Sequence, residues 1–247
     1  MTKEQLEKHK IAARKLEFVK DEAFNFIKRN IGKVSEYEVH KFILSEFKKK
    51  KLVAEKKNPI QIIAVNEHAA IPHYFPSADK SSIIKRGDLI LLDVWAKLEK
   101  KDSPFADITW MAYSGKRVPE EIKRAFIKVV RAQDIALSFI EKNLKEGKLL
   151  RTKTVDKVVR DYFKRFGLEK NFLHGTGHSL GIRECHGKYF RFGKKSKAKL
   201  KIEIPFTIEP GLYFKSKFGI RSEINCYITK EHKLIVTTMM QKEITKI

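Results

Sequence analysis

Four carboxylic acids stand inside text that otherwise reads as β-strand: Asp93 in LILLDVW, Asp107 in FADITW, Glu209 in FTIEPGLYF and Glu223 in GIRSEINCYI. A strand interior favours apolar residues, and a buried carboxylate without a partner is expensive, so each acid needs a cation, a hydrogen-bond network or solvent. Asp93 and Asp107 are separated by a turn signal, KKDSP, which places them on paired strands of one hairpin. Glu209 and Glu223 bracket a second turn signal, KSKFG. Two such hairpins can present four carboxylates to one cleft. Taken singly, each acid fits a strand edge, or an ion pair with one of the 53 Lys and Arg residues, better than a metal site. Convergence changes the balance. Two carboxylates about 4 Å apart repel by roughly 4 kcal/mol at an effective dielectric near 20, and two divalent cations would offset four such charges.

A stretch that can answer those acids follows later in the chain. FLHGTGHSLGIRECHG, residues 172 to 187, concentrates His174, His178 and His186 with Gly175, Gly177, Gly181 and Gly187. Glycine lets backbone approach closely, and imidazoles held on such a turn offer neutral ligands or proton carriers. An oxygen-rich set with one imidazole suits Mn²⁺, Co²⁺, Fe²⁺ or Zn²⁺ in a paired site better than a structural zinc, which wants thiolates. Cys185 and Cys226 have no metal-ligand spacing and are too few for a disulfide framework; they read as reduced thiols in or near a core.

The surrounding text predicts helices from Thr2 to about Asn30, from a Ser35/Glu38 capping box into the Lys48 to Lys51 run, from Pro119 to about Leu144, and from a Thr154 cap to about Phe166. Strands are expected at 59–67, 88–99 and 105–115, and again in PFTIEPGLYF, GIRSEINCYIT and KLIVTTM. Helices followed by strands thus occur twice, an α+β pattern of two similar halves, and residues 1–247 read as a single domain. No apolar run reaches the roughly 20 residues of a membrane span, and MTKEQLEKHK lacks a signal peptide's apolar stretch, so the cytoplasm is the expected location. The net charge of +23 is spread along the chain, with a second basic run from Lys188 to Lys201. It reads as a solvated lysine surface before it reads as a nucleic-acid or acidic-partner surface, since no nucleic-acid-binding signature accompanies it.

On HGTGHSLG, TIEPGLY and GIRSEINCYIT, with Asp93, Asp107, His178, Glu209 and Glu223 in that order, the chain resembles the pita-bread metallopeptidases: methionine aminopeptidase, aminopeptidase P and prolidase. The resemblance extends over nearly all the chain. It implies a pita-bread fold, two pseudo-symmetric α+β halves around a metal cleft, and two divalent ions, Mn²⁺ first, with Co²⁺, Zn²⁺ or Fe²⁺ as alternatives. It assigns Asp93 to one ion, His178 and Glu209 to the other, and Asp107 and Glu223 to bridging positions. AAIPHYFPS, residues 69 to 77, is similar to the proline-directed branch, whose PHY supplies an active-site histidine, here His73. His186 matches the later histidine of the glycine-rich segment, and His174, ahead of the metal ligand, is a candidate substrate contact. The intervals from Asp93 to Asp107 and from His178 to His186 both exceed the family's usual spacing, and His68 stands where proline-directed relatives usually have asparagine. Those relatives often carry an extra N-terminal domain, whereas this text starts with the catalytic part.

The expected chemistry is metal-assisted hydrolysis of the N-terminal peptide bond of a peptide or dipeptide, before proline. Glu209 is the expected proton shuttle, and His73 and His186 are expected to stabilise the tetrahedral intermediate and assist the leaving nitrogen. Methionine aminopeptidase activity and a non-catalytic pita-bread module with a basic partner surface are the alternatives. A peptide is the expected partner and a membrane is not; a homodimer and nucleic acid are compatible with the text, which specifies neither.

Overall fold

A computed structural model describes residues 1–57 and 59–247 of the chain. Helix α1 (Lys3–Arg29) starts at a capping box in which the Thr2 hydroxyl accepts from the Gln5 backbone and the Gln5 side chain accepts from the Thr2 N–H. Its buried stripe, Ala12, Leu16, Val19, Ala23 and Ile27, recurs every three or four residues. Helix α2 (Glu36–Lys49) starts at the Ser35/Glu38 capping box read from the sequence. Both helices lie on one face of a sheet built from β1 (Leu52–Val53), β2 (Ile62–Val65), β3 (Leu89–Leu98) and β4 (Ala106–Tyr113), joined by β12 (Thr245–Lys246) at the end of the chain.

β3 and β4 pair antiparallel from Leu89 opposite Tyr113 to Ala96 opposite Ala106. Because side chains alternate across a strand, the even positions Ile90, Leu92, Val94, Ile108 and Trp110 join α1 and α2 in one hydrophobic cluster. The odd positions Leu89, Leu91, Trp95, Met111 and Tyr113 enter a second cluster with helices α3 (Glu120–Lys145) and α4 (Thr152–Lys164). Asp93, Asp107 and Thr109 also sit at odd positions. The pleat alone therefore aims both aspartates away from α1 and α2 and toward the second half of the molecule.

That second half contributes β5 (His178–Leu180), β6 (His186–Arg191), β7 (Phe206–Ile208), β10 (Ile224–Ile228) and β11 (Leu234–Val236) in the spatial order β11-β10-β7-β5-β6. The hairpin of β8 (Gly211–Phe214) and β9 (Phe218–Arg221) forms a separate ladder. Two side-chain amides tie chain segments that no ladder joins. Asn225 accepts from the Asp107 N–H (3.0 Å) and donates to the Asp107 carbonyl (2.5 Å). Gln241 does the same on Met111 at 2.8 and 2.7 Å. Each stands in for a missing strand partner and satisfies a buried peptide group.

Helix α4 begins earlier than a Thr154 cap implies. Arg151 occupies the cap position, Thr152 is buried with its hydroxyl on Ser196 (2.7 Å), and the Thr154 hydroxyl donates to the Arg151 carbonyl (2.6 Å). A threonine one turn inside a helix can bond back to the preceding turn, so its presence did not mark the start. Strand β6 was hidden in the sequence by its charge: Lys188 and Arg191 belong to an edge strand, where exposed basic residues discourage further pairing.

Candidate metal centre

The elements just described deliver His178, Glu209 and Glu223 to the strand face that carries Asp93 and Asp107. Ile208 pairs with Ile224 in the β7–β10 ladder, and Gly211 pairs with Arg221 in the β8–β9 ladder. Glu209, between β7 and β8, and Glu223, between β9 and β10, sit where one ladder gives way to the other, and both reach the cleft. His178 opens β5, held by its backbone N–H on the Thr207 hydroxyl at 3.0 Å. The glycines around it permit this. A Cβ at Gly175 would run into the Phe192 carbonyl, and one at Gly177 into that of Thr207.

The ligand atoms of Asp107, His178 and Glu223 lie within 4.8 Å of one another, all buried. His178 Nδ1 donates to the Ser179 carbonyl (3.1 Å), which leaves Nε2 as a lone-pair donor 3.7 Å from Asp107 Oδ2 and 3.5 Å from Glu209 Oε1. Burial, reinforced by the neighbouring His186, holds the His178 ring neutral by pushing its pKa well down. The acids move the other way. Burial raises Asp107 and Glu223 well above the carboxylate range, each helped by the other buried acids. Burial likewise pushes Glu209 up to about 7, against the opposing charge of Arg221. Asp107 Oδ1 and Glu223 Oε1 are buried with no hydrogen-bond partner. A buried acceptor left unpaired costs about 1–3 kcal/mol, and cations at these oxygens would remove that cost. The residues present therefore fit a divalent-metal site.

Arg221, which sequence reasoning missed, organises the rest. It is 3% exposed. Its guanidinium donates to Asp93 Oδ2, to the Thr109 hydroxyl (2.9 Å), to the Tyr213 hydroxyl (2.7 Å) and to the Pro72 carbonyl (3.3 Å). The Thr109 hydroxyl donates in turn to Glu223 Oε2 (2.8 Å), and Tyr213 donates to His174 Nε2 (2.7 Å). His174 Nδ1 donates to the Gly175 carbonyl (2.8 Å), so both nitrogens of that ring are engaged; burial pushes its pKa down to about 3. The only sequence signal for Arg221 was its place between Ile220 and Ser222 in GIRSE, a basic residue in strand text.

Above the cluster opens a cavity of about 230 Å³ lined by all five predicted ligands, by His73, His174 and His186, and by Phe75, Trp95 and Phe192. His186 stacks obliquely on His178 with ring centroids 4.0 Å apart, despite the longer interval between them. A bulge between His178 and Leu180 in the β5–β6 pairing takes up irregular length. His73 is exposed at the mouth on a segment anchored from two sides. Pro72 is bonded to Arg221, and Tyr74 donates to Glu36 Oε2 (2.7 Å). Glu36, fully buried, also accepts from Val65 N (2.7 Å), Ser82 N (2.9 Å) and His68 Nδ1 (2.9 Å). The histidine that replaces the expected asparagine at position 68 thus serves as a donor to a buried carboxylate.

Acid oxygens without donors, gathered on a neutral imidazole beneath an open cavity, define a cation-binding site. Comparison with known proteins gives the family. Residues 7–230 match metallopeptidase family M24, and the chain belongs to that family. It is 32% identical over 221 residues to an uncharacterized peptidase of Methanocaldococcus jannaschii, covering 87% of this chain and 57% of that protein. It is 32% identical over 178 residues to the Xaa-Pro dipeptidase of Pyrococcus furiosus, covering 72% of this chain and 47% of the relative. The chain therefore spans about half the length of these curated relatives. Among solved structures, the X-Pro aminopeptidase of Thermotoga maritima superposes with a TM-score of 0.84 at 26% identity, over 100% of this chain and 64% of that one. The prolidase of Pyrococcus furiosus gives 0.78 at 26%, over 98% and 65%. The α+β pita-bread architecture expected from the resemblance is the one found. Among the described residues, no helix is long and apolar enough to cross a membrane.

Proposed function

We propose that this metallopeptidase removes the N-terminal residue from short peptides whose second residue is proline, using two divalent ions, Mn²⁺ foremost. The observation that carries the reading is the pair of partnerless buried oxygens, Asp107 Oδ1 and Glu223 Oε1, beside His178 at the floor of a cavity that His73 overlooks. In this reading Asp93, Asp107, His178, Glu209 and Glu223 would together hold the two ions. Bound cations would supply Lewis-acid polarisation of the scissile carbonyl and a lowered pKa for water.

The chain's own groups do the rest. Glu209, its Oε1 3.5 Å from His178 Nε2, accepts and returns a proton. His73 and His186 face the cavity from opposite chain segments and donate to the oxygen that gains charge and to the leaving nitrogen. His174 forms part of the substrate wall, its ring fixed by Tyr213 and Gly175. The cavity's 230 Å³ is below the roughly 300–1,000 Å³ that encloses a drug-sized ligand, a size suited to the first residues of a peptide. Apolar Phe75, Trp95 and Phe192 offer surface to a proline ring, whose nitrogen carries no amide hydrogen to satisfy. The Xaa-Pro specificity named for relatives and structural neighbours, together with IPHY around His73, supports the substrate choice.

Metal-free protein reloaded with Mn²⁺, Co²⁺ or Zn²⁺ and assayed for kcat/KM on Ala-Pro-Ala against Met-Ala-Ala tests the reading. Preference for the proline peptide is expected. Preference for the methionine peptide would move the chain to the methionine aminopeptidase branch, and cleavage of neither with metal bound would favour a non-catalytic module.

A further inference from the structure

The basic run that ends at Lys201 meets a second basic segment in space. An isolated antiparallel bridge sets Arg151, at the start of α4, opposite Lys199. The Thr152 N–H donates to the Ala198 carbonyl and the Leu200 N–H to the Leu150 carbonyl, both at 2.9 Å. Those two hydrogen bonds flank the Arg151–Lys199 pair, an arrangement in which facing Cα atoms come to about 4.5 Å and side chains are closest. Like charges directly opposite each other destabilise such a pairing, yet the chain itself supplies no acid to offset them. Residues 147–155 and 193–202 contain none, and the first turn of α4 is without one. Among the described residues Lys148 pairs with Glu146 and Lys194 with Glu169, whereas no carboxylate pairs with Arg151, Lys153, Lys195, Lys197, Lys199 or Lys201.

The same segment has a period of two. Lys197, Lys199 and Lys201 are exposed, Ala198 is half-buried and Leu200 is buried. Extended backbone rises about 3.3 Å per residue, so the three lysines leave one face at intervals of about 6.7 Å. A stacked nucleic-acid strand carries one charge per about 3.4 Å of axis, which puts successive lysines in step with alternate phosphates. Beside the row, the Lys201 ammonium stands 5.2 Å from the ring centroid of Tyr189, which is 41% exposed on edge strand β6 next to exposed Lys188. An open aromatic ring along a basic track is a platform for an unpaired base. An acidic peptide or an anionic lipid surface would answer the charge but not the ring.

We propose that the face formed by Arg151, Lys197, Lys199, Lys201 and Tyr189 binds single-stranded nucleic acid. Phosphates neutralise the facing Arg151–Lys199 pair and the lysine row, and a base stacks on Tyr189. None of these residues lines the cavity, so the inference stands apart from the peptidase reading.

Fluorescence anisotropy of labelled oligothymidylate and oligouridylate of about 20 nucleotides, titrated with the full chain between about 50 and 200 mM salt, tests the proposal. Log affinity should fall linearly with log salt, and binding of either strand supports the site. The triple variant Lys197→Gln, Lys199→Gln, Lys201→Gln should reduce the steepness of that line by about 2, since each phosphate contact on a single strand contributes about 0.7. A control triple, Lys28→Gln, Lys33→Gln, Lys41→Gln, removes the same charge from exposed positions on and between α1 and α2 and should leave the line near wild type. Tyr189→Ala should weaken binding by about tenfold with the salt dependence unchanged. Equal losses in the two triples would make binding a property of the diffuse net charge and overturn the site. So would the absence of binding by the wild type at about 50 mM salt, a result that needs no variant to fold. Equal wild-type affinity for polyglutamate of the same length, with Tyr189→Ala without effect, would overturn nucleic acid as the partner.

Discussion

Stripping the cations from this centre turns its acids into a pH-dependent source of instability. In the metal-free fold Asp107, Glu209 and Glu223 all have raised pKa values, with burial the leading cause. A carboxyl whose folded pKa exceeds its unfolded one holds its proton more tightly in the folded state. Its contribution to stability is fully present below the unfolded value and is lost as pH rises through the folded value. For Glu209 the rise is from 4.5 to about 7. At 1.36 kcal/mol per unit this is on the order of 3 kcal/mol lost by mildly alkaline pH, and Asp107 and Glu223 add in the same direction. Cations replace those protons, so the loaded protein escapes the loss. The measurement is the difference in urea unfolding free energy between Mn²⁺-loaded and chelated protein, taken between about pH 5 and 8.5. Taking a difference matters because buried His9, pushed down to about 4 by its burial, has the opposite dependence and weakens the fold as pH falls below its unfolded value. Its share is common to both samples and cancels. The loaded-minus-chelated gap should widen by roughly 3 kcal/mol or more with rising pH, and Glu209→Gln should remove part of that widening. A gap that stays level across the range would refute the buried-acid cluster.

Glu223→Gln should lower activity by about 100-fold or more, beyond what loss of an outer-shell partner costs, whereas Cys226→Ser, three residues further on in β10 and in the apolar core, should affect thermal stability and leave kcat near wild type. Similar residual rates in the two would refute the assignment of Glu223 to the metal centre. His73→Ala should reduce kcat by about 100-fold, the cost of one donor to developing charge, with metal content by mass spectrometry unchanged. Loss of an ion in that variant would make His73 a ligand.

Much of this centre was legible because a strand has a period of two. Asp93 and Asp107 interrupt apolar text at positions that the pleat aims to one side, and Glu209 and Glu223 interrupt it just outside a hairpin. The capping box at Ser35 was legible because its partner lies three residues away; the one at Thr2 emerges only in the structure. What escaped depends on partners far along the chain. Arg221 is meaningful only beside Asp93, Thr109 and Tyr213; Cys185 reads as an ordinary reduced thiol until Asp107 is found 3.1 Å away. Asn225 and Gln241 likewise reveal nothing in sequence of the backbone groups they pair with. Short strands such as β1 and β12 owe their conformation to a neighbouring ladder, with little local propensity to announce them.

The anchoring of the His73 segment has a mechanical corollary. One neighbour, Pro72, is tied through its carbonyl to Arg221 of the second half; the other, Tyr74, is tied through its hydroxyl to Glu36 of the first. The imidazole between them is therefore suspended across the seam of the molecule. If the halves part, as admission of a larger peptide would require, one tie must break before His73 can travel with either side. Its position over the cavity floor therefore depends on two hydrogen bonds, one to each half of the molecule.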